Sequence, residues 1–176
     1  MRRLIVAGLA AALLLTPAGC KRKRRAPAVA AAESPSEPAT MLGTADPRSA
    51  LQLTKGFYEI ENGGWRWSAK EFSAVLKPPP TGPQKGARLV LKFTVAEASI
   101  TKLGPITLTA KVGSTSCQER RYDKAGQFEF KCDISAADLK DPMVLVDFAL
   151  DKTLPATAND SRELGLVVAM VGFEAK

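Results

Sequence analysis

From residue 51 onward the chain consists of short runs in which apolar and polar side chains alternate, broken by Gly, Pro and Asn. Leu89, Leu91, Phe93 and Val95 alternate with Val90, Lys92 and Thr94, and a period of two puts one set on one face of a strand. Ile106, Leu108, Ala110 and Val112 repeat the pattern, as do Phe128, Phe130 and Cys132, and Val144, Val146 and Phe148. The segment from Leu164 to Phe173 is apolar almost throughout and reads as a central strand covered on both faces. No amphipathic helix of useful length is expected, only a capped turn at Ser135-Ala-Ala-Asp138 ahead of Pro142. Breakers spaced roughly every ten residues between such runs predict an all-β antiparallel sandwich of about eight strands over residues 50–176.

Residues 1–49 obey a different rule. Arg2 and Arg3 precede an apolar run from Leu4 to Leu15, which ends in Pro17-Ala18-Gly19-Cys20. A run so short cannot cross the roughly 30 Å hydrocarbon core as a helix, and Pro17 blocks its extension. A basic start, an apolar middle and a small-residue exit are the parts of an export signal. Residues 26–49, rich in Ala, Pro, Ser and Glu, carry too little apolar surface to offset ordering entropy and are expected to form a flexible tether.

Charge narrows the partners. The 176 residues carry a formal charge of +7, yet from Asp46 onward 18 Lys and Arg face 16 Asp and Glu, leaving +2. The excess sits in Arg2, Arg3 and the run Lys21, Arg22, Lys23, Arg24 and Arg25. With no basic stripe interleaved with aromatics in the body, nucleic acid is not an expected partner. Positive charge directly after an apolar run tends to stay in the cytoplasm, so this basic run opposes export of the chain. Beside a lipid anchor it would hold the chain to anionic headgroups, at about 1 kcal/mol per charge.

The chain has no histidine, so neither Ser-His-Asp nor Cys-His chemistry can be assembled. Hydrolysis by carboxylates alone remains formally open, using two of Glu59, Glu61, Glu71, Asp160 and Glu163. No enzyme activity, cofactor or metal site is expected. Cys117 and Cys132 flank QERRYDKAGQFEFK, and a turn at Asp123–Gly126 would make a hairpin with the two cysteines directly opposite. With Cys20 set aside, the remaining pair is expected to oxidise in an exported protein; two buried thiols are the alternative.

Two stretches stand apart. In GFYEIENGGWRWSAKEF, residues 56–72, Trp65 and Trp67 fall on one face of a strand and Arg66 on the other. Exposed, the rings would form a stacking platform for sugars, with Glu59, Glu61 or Arg66 giving polar contacts; core burial of both rings is the favoured expectation. In NDSRELG, residues 159–165, Asp160, Arg162 and Glu163 would make a salt-bridged corner before the last strand.

Ala18-Gly19-Cys20 resembles the lipobox of bacterial lipoproteins. That resemblance implies cleavage after residue 19, acylation of Cys20, and, with Lys21 next in the chain, the outer rather than the inner membrane. A plain cleaved signal, an uncleaved anchor and a basic address tag are the alternatives. Trp65-Arg66-Trp67 and Asp160-Ser-Arg162-Glu163-Leu164-Gly165 together resemble small jelly-roll-like domains of bacterial envelope proteins, which open with an aromatic-Arg-Trp element and close with Asp-x-Arg-x-Leu-Gly. The resemblance spans about residues 56–173. It implies a non-catalytic sandwich associated with carbohydrate, with the Arg66 and Arg162 regions close together. The expected organisation is thus a signal over 1–19, a lipidated tether over 20–49 and the β-domain. The expected function is an envelope lipoprotein that binds a glycan or surface polymer through Trp65, Arg66, Trp67, Glu59 or Arg162. A structural or protein-partner lipoprotein of the envelope is the alternative.

Overall fold

A computed structural model describes residues 37–176. The expected export signal, Cys20, the run from Lys21 to Arg25 and the first part of the expected tether lie outside the described residues. Ten strands succeed one another along the described chain: β1 (Met41–Gly43), β2 (Leu53–Glu61), β3 (Trp65–Leu76), β4 (Ala87–Val95), β5 (Ile106–Val112), β6 (Thr115–Ser116), β7 (Arg120–Tyr122), β8 (Gly126–Ile134), β9 (Val144–Leu150) and β10 (Val167–Ala175). All pair antiparallel, in the order β6-β5-β9-β3-β10-β4-β8, with β7 beside β5, β2 beside β3 and β1 beside β10. The expected antiparallel sandwich is present.

The alternating rows point inward as the sequence requires. Leu89, Leu91, Phe93 and Val95 of β4, Ile106, Leu108 and Val112 of β5, and Val146 and Phe148 of β9 are buried in one core. Phe72 of β3 stacks on Phe148, ring centroids 4.9 Å apart, and Phe57 of β2 meets Phe72 edge-on at 5.4 Å.

Strand β3 belongs to both halves of the sandwich. Its first residues pair with β10, Trp67 with Val167 and Arg66 with Val168. From Glu71 to Leu76 it pairs with β9 instead. The change of partner falls at Ser68 and Ala69, and Gly165–Leu166 fills the gap. Ser68 N donates to Leu166 O at 2.8 Å, Gly165 N to Ser68 O at 2.7 Å, and Leu166 N to Ser68 Oγ at 3.0 Å. A Cβ on residue 165 would stand 2.7 Å from Leu150 Cδ1 and 2.9 Å from Ala69 O, so only glycine passes there.

The free ends of the strand path meet on the other side. Tyr122 of β7 contacts Phe93 and Phe128 at centroid distances of 5.1 and 4.8 Å, and the Cys117–Cys132 disulfide joins the β6–β7 connection to β8. No ladder runs between β7 and β8. The expected hairpin therefore does not form, although the disulfide does. Residues 120–122 pair with Leu108, Thr107 and Ile106 of β5, and Cys132 lies opposite Leu89 of β4. The bridge spans two edges that no backbone hydrogen bond connects.

The β-domain also starts earlier than residue 50. β1 pairs with Gly172, Val171 and Met170 of β10, and Leu42 and Thr44 are buried. Two short helices, α1 (Gly82–Lys85) and α2 (Glu97–Leu103), add to the expected capped turn, which is a 3-10 turn at Ala136–Leu139 with Ser135 Oγ accepting from Ala137 N. The last strand begins at Val167, not Leu164, and sits centrally between β3 and β4. It is buried on both faces only from Val171 to Phe173.

Candidate functional site

The conspicuous sequence elements converge where β3 passes between the two halves. β2 and β3 are joined by Asn62-Gly63-Gly64, with Asn62 at φ 48° and Gly63 at φ 64°, the left-handed pair that a tight hairpin requires. β2 is irregular beside β3, and Tyr58 falls in the register shift between Phe57 and Ile60.

The orientation of β3 reverses the favoured expectation. Trp65 and Trp67 are half-buried and face outward, while Arg66 between them is turned in and only 7% exposed. The guanidinium sits there because it serves two backbone carbonyls. Arg66 Nε donates to Thr44 O at 2.8 Å and Nη1 to Tyr58 O at 2.9 Å. It thereby ties the segment after β1 to β2 and β3. Glu59, its carboxylate fully exposed, lies 4.0 Å from Arg66 Nη1, a contact too long and too wet to hold the arginine.

Arg162 is engaged just as completely. Its Nε and Nη2 donate to the two carboxylate oxygens of Asp160 at 2.9 and 2.8 Å, and Nη1 donates to Glu61 Oε1 at 2.7 Å. The guanidinium carbon lies 5.3 Å from the centre of the Tyr58 ring, and Tyr58 Oη donates to Glu163 O at 2.9 Å. Arg66 and Arg162 therefore meet through one residue, Tyr58: one holds its carbonyl, the other faces its ring. Asp160 takes part in the expected salt-bridged corner. Glu163 contributes only its carbonyl, and Glu61 of β2 supplies the second carboxylate. Sequence reasoning missed Tyr58 and Thr44; the i, i+2 fork of Asp160 and Arg162 is visible along the chain, but its partners across the sheet are not.

The side-chain and backbone hydrogen bonds from Arg162 hold the Asp160 carboxyl down at about 2, from its ordinary value of 3.8, and the same bonds raise the arginine. A carboxyl depressed in the folded state adds stability above its unfolded value and loses it as pH falls from about 4 toward 2. We expect denaturation curves of wild type and Asp160→Asn to differ by a constant amount above about pH 5 and to converge below it. A gap independent of pH down to about 2 would show that the carboxylate is not what closes this corner. Glu61 and Asp160, two of the carboxylates that a hydrolase would need, are joined by one arginine, and depression of Asp160 is the opposite of what a general acid requires.

No family model matches the chain, and no curated protein matches it. Among solved structures, two carbohydrate-binding modules are similar to it. The CBM36-1 domain of a multidomain xylanase from the hindgut metagenome of Trinervitermes trinervoides is 9% identical, with a TM-score of 0.42 over 78% of this chain and 97% of that one. A CBM4 structure is 12% identical, with a TM-score of 0.30 over 81% of this chain and 86% of the other.

Proposed function

We propose that the β-domain is a non-catalytic glycan-binding module, carried by an exported chain that is lipid-anchored at Cys20 in the outer membrane. The observation that supports binding is the outward pair Trp65 and Trp67, set two residues apart on β3 with a structural arginine between them. The two rings, each partly in water, stand side by side on the sheet surface, and a flat, amphipathic ring suits the apolar face of a sugar. Of the residues expected to contact a ligand, Arg66 and Arg162 are committed to the fold. The two rings and the exposed carboxylate of Glu59 remain for the ligand. The anchor is supported by the Ala18-Gly19-Cys20 sequence and by the oxidised Cys117–Cys132 pair, which fits an oxidising compartment.

The test uses protein purified from its own membranes. Its mass should correspond to a chain that begins at an acylated Cys20, and it should bind members of a glycan array. Trp65→Ala and Trp67→Ala should each weaken that binding about tenfold or more while leaving the fold intact. Binding that survives both substitutions would remove the tryptophan surface, and a mass that retains Met1 would remove the anchor.

A further inference from the structure

The face of the sandwich formed by β2, β3, β9, β5 and β6 carries a polar row that runs straight across the strands. Lys55 pairs with Ser73, Ser73 with Asp147, Asp147 with Lys111, and Lys111 with Ser116. Paired residues share a face, so the five side chains stand on one line roughly 19 Å long at the usual strand spacing. The parallel row one step along is Glu71, Ala149 and Thr109, and its small members leave a trough of about 540 Å³ between the charged walls. The floor is ordered: Ser73 Oγ donates to Asp147 Oδ1 at 2.6 Å, and Lys55 Nζ meets Glu71 Oε2 at 2.7 Å.

The trough continues at its β6 end. Ser116 and Cys117 also wall a second groove of about 450 Å³ over the seam closed by the disulfide, together with Gln118, Arg88, Arg120 and Lys131. Asp133 in that groove is satisfied by Arg88 at 3.0 Å and Lys176 at 3.4 Å. Among the described residues, Lys111 and Arg120 are exposed and make no ion pair within 4 Å. The cleft is thus lined with hydroxyls and hydrogen-bonding carboxylates along the sheet, where Lys111 stands opposite Asp147, and at the seam it holds three cations, Arg88, Arg120 and Lys131, against the one carboxylate of Asp133.

We infer that this cleft binds an acidic glycan, its hydroxyls on the Ser73–Asp147 row and an anionic substituent at the seam beside Arg120. The alternation of acceptors, hydroxyls and ammonium groups matches a chain that offers both donors and acceptors at every ring. The positive end matches a carboxylate or phosphate on that chain. A nucleic acid fits poorly: the one aromatic ring at the trough, Phe148, is 2% exposed and offers no stacking surface, and Asp147 and Glu71 repel a continuous phosphate backbone. The site shares no residue with the tryptophan surface and does not depend on it.

The full chain, isotopically labelled, is titrated at about 0.15 M salt, where exposed charge is well screened. Probes are hexamers of galacturonate, hexamers of mannuronate and neutral maltohexaose. At least one acidic hexamer should shift the backbone amides of Lys111, Ser116, Gln118 and Arg120, and should bind more tightly than maltohexaose. Lys111→Ala with Arg120→Ala, both exposed positions, should weaken it about tenfold or more. Trp65→Ala should leave it unchanged. The inference is overturned if those amides stay silent with both acidic hexamers, if the double variant binds equally well, or if hexathymidylate binds as tightly, which would reveal charge without glycan recognition. Loss of binding in the tryptophan variants with a silent cleft would likewise reject this site while keeping the tryptophan surface.

Discussion

Replacing both Cys117 and Cys132 with alanine should lower the unfolding free energy of the β-domain by about 3 kcal/mol, the chain-entropy value for a loop of this size. The two cysteines are 15 residues apart in sequence, but their position in the fold matters more than that separation. β8 pairs only with β4, and β6 and β7 pair only with β5, so the bridge is the covalent link between the two ends of the strand path. Cys117 also belongs to the core, and half-buried Cys132 packs against it. Without the bridge, the ring contacts of Tyr122 with Phe93 and Phe128 are left to hold the seam. Reversible denaturation of the oxidised, reduced and double-alanine forms measures the effect, and amide exchange in Gly126–Ile134 should accelerate in the last two. Equal midpoints for the three forms would show that the strand path closes without help.

The second large effect is expected at Arg66. Arg66→Met keeps most of the apolar stem but removes the donors to Thr44 O and Tyr58 O. Leaving one buried and one half-buried carbonyl unpaired costs about 1–3 kcal/mol each, so the variant should lose about 2–6 kcal/mol. Arg66→Lys should recover only part of this, because a single ammonium cannot reproduce the fork of the guanidinium toward two carbonyls on different segments. A methionine variant as stable as wild type would mean that water replaces the arginine in this corner. The measurement is again chemical denaturation, with the Asn62-Gly63-Gly64 hairpin and β1 monitored by amide exchange for local loosening.

These two positions also show where the sequence was informative and where it was not. The alternation in β4, β5, β8 and β9 marked their inward faces correctly, because period-two patterning is set by burial. The same period separated Trp65 and Trp67 from Arg66, but it could not say which side was inside. Hydrophobicity alone favours burying the rings; the fold buries the arginine, whose donors reach the carbonyls of Thr44 and Tyr58, 22 and 8 residues away. The cysteine count gave the disulfide, yet the assumption that neighbouring segments pair with each other gave a hairpin that does not exist. β7 is only three residues long and finds its ladder on β5, a choice that depends on a contact across the fold. β1 was hidden in a Pro- and Ala-rich segment because three residues are too few to show alternation. Helix α2, with Ala96 at its N-cap and no side-chain cap, offered no start signal. The polar row from Lys55 to Ser116 is assembled from five strands and has no trace along the chain, since register becomes visible only when strands are laid side by side.

β1 has a mechanical meaning as well. The chain enters the fold through Ala39 to Thr44, and those residues are clamped one after another. The Gln52 side chain holds both Ala39 N and Ala39 O, Phe173 N donates to Thr40 O at 2.9 Å, and Thr44 N donates to Ala169 O at 3.0 Å. Gly172 admits this strand at a distance no side chain would allow, with a Cβ there only 2.6 Å from Met41 Cα. Tension arriving from the N-terminal side is thus borne first by a short, peripheral ribbon laid on β10. A pull that strips this ribbon meets the Arg66 bond to Thr44 only at its far end, so the chain is spliced into the sandwich a full strand ahead of the corner that carries the tryptophans.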